Sequence, residues 1–176
     1  MKTKKNKIKN SRPENKTSTK KSDYLYAVIA IIICQFAGLV GTLFTIPNIP
    51  TWYASLNKPF FSPPSFVFGP VWITLYTLMG ISVFLIWKKG IKKKENKTAI
   101  IFFGVQLILN ALWSLSFFGL QNPLYGLINI VILLAVLATT IYKFYKIDKR
   151  AAYLLVPYFL WGAFATLLNL AIFLLN

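Results

Sequence analysis

The chain has 176 residues, 56% of them apolar and 14% charged, with twenty Lys and Arg against four Asp and Glu and no His. A water-soluble domain carries roughly 25% charged residues, so this surface is built to face something other than water, and most soluble enzyme classes are excluded. With no His and with Cys34 as the single cysteine, no ordinary zinc, haem-iron or iron–sulfur ligand set can be assembled, and Cys34 reads as a small buried apolar residue.

Residues 1–23 hold nine basic and two acidic side chains. This Lys/Asn/Ser/Thr-rich cytoplasmic tail is expected to be disordered, with anionic lipid headgroups as its simplest partner. The apolar run behind it exceeds a signal-peptide core and lacks a clear cleavage site, so it reads as a retained span. A bilayer core of about 30 Å takes roughly 20 apolar residues in a helix. The sequence therefore predicts an all-α integral membrane bundle of five transmembrane helices within 24–176, over 24–45, 67–88, 98–119, 123–145 and 150–175. Pro70 lies in the first turn of the second span, and Pro123 opens the fourth after Asn122, positions where a missing N–H does no harm. The stretches 1–23, 88–97 and 143–150 hold nineteen of the twenty basic residues and fall on one side of a five-span chain. Basic loops stay cytoplasmic, which predicts a cytoplasmic N-terminus and an extracytoplasmic C-terminus, in a prokaryotic cell membrane. A nucleic-acid reader carries its cations on a folded surface rather than between spans, so no nucleic-acid partner is expected.

The one long connection, 46–66, alternates Pro47, Pro50, Pro59, Pro63 and Pro64 with Trp52, Tyr53, Phe60, Phe61 and Phe66. Two readings stand: an aromatic belt lying among headgroups, or a proline-stiffened lid packed over a cavity between helices. Helical periodicity then sorts the spans into faces. Trp72, Tyr76, Met79 and Gly80 share a stripe in span two, as do Gln106, Asn110, Trp113 and Phe117 in span three, and Tyr158, Trp161, Ala165 and Asn169 in span five. An amide in hydrocarbon needs a partner, so Gln35, Gln106, Asn110, Asn129 and Asn169 should point inward. Interhelical bonding is the reading for Gln35 and Asn129, whereas Asn110 could equally face a ligand. Trp161 sits too deep for a belt and is either packing or pocket wall, with Gly162, Ala163 and Ala165 leaving room beside it. All four carboxylates, Glu14, Asp23, Glu95 and Asp148, lie in tail or loop. No carboxylate pair, triad or proton relay can be drawn inside the membrane, so no catalytic residue, metal ligand or resident cofactor is assigned.

The run Trp52-Tyr53-x-x-Leu56-x-Lys58-Pro59, then Pro63-Pro64 and Val71-Trp72-x-x-Leu75-Tyr76-x-x-Met79-Gly80, resembles the translocator-protein family, whose bacterial members are tryptophan-rich sensory proteins. Gln106-Leu107-x-Leu109-Asn110, Trp113, Phe117-Phe118-Gly119 and Leu155-x-Pro157-Tyr158-x-x-Trp161-x-x-Phe164-Ala165-Thr166-x-x-Asn169 continue the match, which covers 46–176. The resemblance implies a five-helix bundle, commonly a homodimer, that binds porphyrins such as protoporphyrin IX and haem under the first loop. By matching positions it implies pocket residues Trp52, Asn110, Trp113, Trp161 and Ala165, with Phe61 where many members have Trp. Together with the stripes, the expected ligand-binding set is Trp52, Phe61, Trp72, Tyr76, Asn110, Trp113, Phe117, Tyr158, Trp161 and Ala165. Lys58 is the isolated cation beside the outer mouth and the candidate partner for a propionate. The expected role is a membrane receptor or carrier for tetrapyrroles. Light-dependent porphyrin breakdown and a non-catalytic sensory scaffold are the alternatives. Ala111 stands where many members carry Trp, and Asn129 where an acid is frequent. A sterol-type pattern, Leu137…Tyr142…Lys146, closes span four and predicts no sterol site by itself.

Overall fold

A computed structural model describes residues 16–176. Its long helices are α1 (Lys16–Asn48), α2 (Phe68–Lys88), α3 (Lys94–Ser114), α4 (Pro123–Ile147) and α5 (Lys149–Leu175). Among the described residues five helices are long and apolar enough to cross a bilayer, and the chain is an all-α integral membrane protein. α2, α4 and α5 keep within two residues of the expected spans, whereas α1 begins at Lys16 and α3 at Lys94, both earlier than expected. Apolar length is set by the hydrocarbon, but helical hydrogen bonding continues into the headgroup layer, where lysine stems can snorkel. Residues 16–23 of the expected tail are therefore helical, and residues 1–15 lie outside the described residues.

The connection after α1 is shorter than the expected 46–66 because the helical path does not stop at Asn48. Pro47 and Pro50 each remove a backbone donor, and the chain widens into a π-helical turn over Ile49–Tyr53. Side chains serve the carbonyls there: Asn48 Nδ2 donates to the Phe44 carbonyl at 2.8 Å and Thr51 Oγ1 to that of Pro47 at 3.1 Å. Only 56–64 is irregular before a 3₁₀ turn, Ser65–Val67, leads into α2. α3 likewise ends in a π-helical turn, Leu115–Gly119. Gln121 then takes a left-handed φ of 51° and its Nε2 donates to Asn48 Oδ1 at 2.8 Å, tying this corner to the end of α1. Asn122 caps α4 by accepting from the amides of Leu124 and Tyr125 at 3.0 and 3.1 Å.

The opposite end of the bundle carries the basic loops. Gly90, at φ 92°, turns the chain out of α2. Asp148 caps α5 by accepting from the Arg150 amide at 3.0 Å, and pairs with the Arg150 guanidinium at 3.0 Å and Lys89 at 3.4 Å. Lys88 pairs with Asp23 of α1. Packing places the helices in a ring, α1–α2–α5–α4–α3 and back to α1. Met79, Leu137, Phe144, Leu155 and Tyr158 fill the ring toward the basic end, and Phe117, Phe118, Leu168 and Ile172 form a second cluster at the other.

Candidate ligand-binding site

Between these clusters the ring is hollow, and glycines decide where. A Cβ on Gly38 of α1 would strike the Tyr76 ring of α2, and one on Gly80 would come within 2.5 Å of Ile31 Cα. The two helices are thus pinned together from Gly80 back to Ile73 of α2, where Gln35 Nε2 also donates to the Ile73 carbonyl at 2.9 Å and Thr77 Oγ1 at 3.1 Å. Farther along, α1 leans on α3 instead, since a Cβ on Gly41 would meet Ser114 Oγ at 2.8 Å. This lean leaves α2 behind and opens a cavity of about 780 Å³. That volume lies within the range of roughly 300–1,000 Å³ that takes drug-sized ligands.

The inner wall is aromatic and amide. Trp72 stacks on Tyr76 at 5.5 Å between centroids, and Trp113 on Phe117 at 5.3 Å with planes 15° apart; all four rings line the cavity. Asn110, also lining, is the hub of a buried chain from α2 to α5: its Oδ1 accepts from the Tyr76 hydroxyl and its Nδ2 donates to Tyr158 Oη at 2.8 Å. Asn169 accepts from Trp113 Nε1 at 3.4 Å and donates to the Pro123 carbonyl at 2.8 Å, so it holds the indole against the start of α4. Every amide hydrogen bond named here joins separate helices, and the wall is fixed before a ligand arrives.

Of the ten expected binding residues, Trp72, Tyr76, Asn110, Trp113, Phe117 and Ala165 meet on this one cavity. Tyr158 is fully buried behind Asn110 and lines a recess of about 10 Å³ with Trp72, Trp113 and Ala165. Trp161 packs edge-on against Phe68 at 5.8 Å, one layer outside the cavity, and its buried Nε1 finds no partner among the described residues. Trp52 sits at the lid end, edge-on to Phe117 at 5.3 Å, and Phe61 packs against Phe164 at 6.3 Å. The connection after α1 therefore divides the two readings: Trp52 and Tyr53 pack onto the bundle, Phe61 touches Phe164 from an exposed position, and Phe60 and Phe66 are exposed. Lys58 Nζ donates to the Ala54 and Leu56 carbonyls at 3.3 and 3.1 Å and lies 4.8 Å from the centre of the Tyr53 ring, which does line the cavity.

α1 contributes to the wall beyond the expected set. Gln35, Gly38, Thr42 and Thr45 all line the cavity, and their spacing of i, i+3, i+7 and i+10 is a small and polar stripe in an otherwise greasy span. Gln35 makes the interhelical bond expected of it. Asn129 Oδ1 does not: it is buried without a partner among the described residues. Gln106 is fully buried, with Nε2 3.9 Å from Met79 Sδ and Oε1 without a partner among the described residues.

Residues 30–175 match the TspO/MBR family. The chain is 44% identical over 153 residues to the tryptophan-rich protein TspO of Archaeoglobus fulgidus, covering 86% of this chain and 97% of that one. It is 39% identical over 132 residues to the human translocator protein, covering 74% and 78%. With the tryptophan-rich sensory protein of Cereibacter sphaeroides it shares 34% over 125 residues, covering 71% and 77%.

Proposed function

Since the chain belongs to the TspO/MBR family, we propose that it is a membrane receptor or carrier whose cavity takes protoporphyrin IX, haem and similar planar hydrophobic ring systems. The observation that carries this reading is the convergence of Trp72, Tyr76, Trp113 and Phe117 with the Asn110 hub on one hollow of about 780 Å³. A flat macrocycle buries apolar area against those rings at about 25 cal/mol per Å², and the rings' fixed orientation limits the poses it can take. In this reading the basic loops are cytoplasmic and the lid is extracytoplasmic. In the same reading Lys58, 4.8 Å from the ring centre of the cavity-lining Tyr53, is the partner for a propionate at the lid end.

Protoporphyrin IX titrated into protein in nanodiscs tests the reading through tryptophan fluorescence. Saturable quenching is expected, and Trp113→Leu should weaken affinity by about tenfold, or about 1.4 kcal/mol. Trp161→Phe, outside the cavity wall, should leave affinity near wild type. Quenching that never saturates, or that Trp113→Leu leaves unchanged, would remove the proposal. An affinity that Lys58→Ala does not alter at any ionic strength removes the propionate pairing alone.

A further inference from the structure

The cavity has two boundaries through which a ligand could enter, and they differ in kind. At the lid end the chain is tied down to the bundle. Trp52 and Tyr53 lie on Phe117 and Phe118, and Phe61 lies on Phe164. Asn57 and Asn176 exchange bonds, the Asn57 amide donating to Asn176 Oδ1 at 3.0 Å and Asn176 Nδ2 to the Asn57 carbonyl at 3.1 Å. Asn57 Nδ2 adds a bond to the Leu175 carbonyl at 3.3 Å. This clasp straps the irregular 56–64 segment to the end of α5.

The flank between α1 and α2 is different. Beyond the Gly38–Tyr76 contact and the Gln35–Ile73 bond the helices part, and the cavity lining runs out through Leu39, Thr42 and Ile46 on α1 and through Phe66 just before and Gly69 at the start of α2, with Ile73 at its edge. Leu39, Ile46, Phe66 and Ile73 are 59%, 65%, 78% and 61% exposed, on a surface that faces hydrocarbon. The hydroxyls here are already spent: Thr42 Oγ1 donates to the Leu39 carbonyl at 2.6 Å and Thr45 Oγ1 to that of Gly41 at 3.1 Å. What the slot shows the bilayer is therefore mainly apolar, and a greasy ring passing between these threonines strips neither hydroxyl of its partner. A Cβ on Gly69 would meet nothing within 4 Å, so the slot is open at that position.

We propose that this cavity is loaded sideways from the bilayer through the α1–α2 slot, and that its ligands are membrane-dissolved planar amphiphiles whose rings lie in hydrocarbon while their charged groups stay at headgroup level. The inference rests on the ligand reading above and adds the route and the physical state of the ligand.

Stopped-flow binding of protoporphyrin IX to protein in phosphatidylcholine vesicles, followed by porphyrin emission, tests it. Varying lipid at constant total porphyrin should make the association rate follow the porphyrin's mole fraction in the bilayer rather than its aqueous concentration. Gly69→Trp and Ile73→Trp, two independent ways of filling the slot, should each slow association and dissociation together by about tenfold, a barrier increment of about 1.4 kcal/mol. A disulfide joining Asn57→Cys to Asn176→Cys, verified by mass, should lock the strap and leave both rates as in wild type. Wild-type rates in both tryptophan variants, or a block by the locked strap, would overturn sideways loading while saturable binding still upheld the cavity as a site. Absence of saturable binding in the wild type would overturn the ligand reading itself.

Discussion

Asn110 does two things with one amide: it joins α2 to α5 through the Tyr76 and Tyr158 hydroxyls, and it presents the remainder of its surface to the cavity. Replacing it with Leu keeps the volume but leaves two phenols without that partner. The expected loss is about 1–3 kcal/mol of stability, read as a lowered midpoint in a detergent thermal melt; an unchanged midpoint would mean the phenols find other partners. Asp148 governs the other end. The Arg150 guanidinium beside it holds its carboxyl well below the usual carboxylate range, with the Arg150 amide and Lys89 adding to the effect. A folded-state pKa below the unfolded one means the stabilisation is present above the unfolded value of about 3.9 and is lost as pH falls through the folded one. Asn also caps helices well, so Asp148→Asn isolates the charge. The melting difference between wild type and Asp148→Asn should be constant from pH 7 to 5 and shrink steadily on further acidification. A difference that stays flat down to the acid limit would show the ion pairs to be without effect.

At the scale of the element, α1 decides whether there is a hollow at all, because it touches α2 in one half and α3 in the other. Gly80 permits the first contact, and Gly80→Ala should push Ile31 away at a cost of about 1–3 kcal/mol by overpacking. A melt of that variant matching wild type would show that the helices can part there freely. The stripes of α2, α3 and α5 were legible from spacing alone, since 3.6-residue periodicity fixes which residues share a face. Spacing puts Trp72 with Tyr76, and Asn110 with Trp113 and Phe117, on shared stripes, and in the structure both stripes line one cavity. Trp161 shows the limit: periodicity puts it on the same face as Ala165, but only the position of Phe68 decides that the indole is screened from the hollow. Leu137 shows it again. The sterol-type pattern spans Leu137, Tyr142 and Lys146, yet Leu137 is fully buried while Tyr142 faces outward, so the three residues share no lipid-facing surface.

For the whole molecule, the charge pattern makes a prediction about orientation. Cysteine placed at Asn57 should react with an impermeant maleimide in intact cells, and cysteine placed at Lys93 only after permeabilisation, with the buried Cys34 silent in both. The reverse pattern would invert the topology. Sequence by itself determined the solvent, the number of spans, the start of the fourth span at Pro123 and the aromatic faces, because hydrocarbon thickness, backbone donor counting and helical period act locally along the chain. It did not determine the ring order, the α1–α2 waist, the Asn57–Asn176 strap or the slot that opens beside them. Those depend on which helix a glycine lets approach and which it leaves apart, a matter of contacts between residues far apart in the chain, and a cavity is what remains where such contacts are not made.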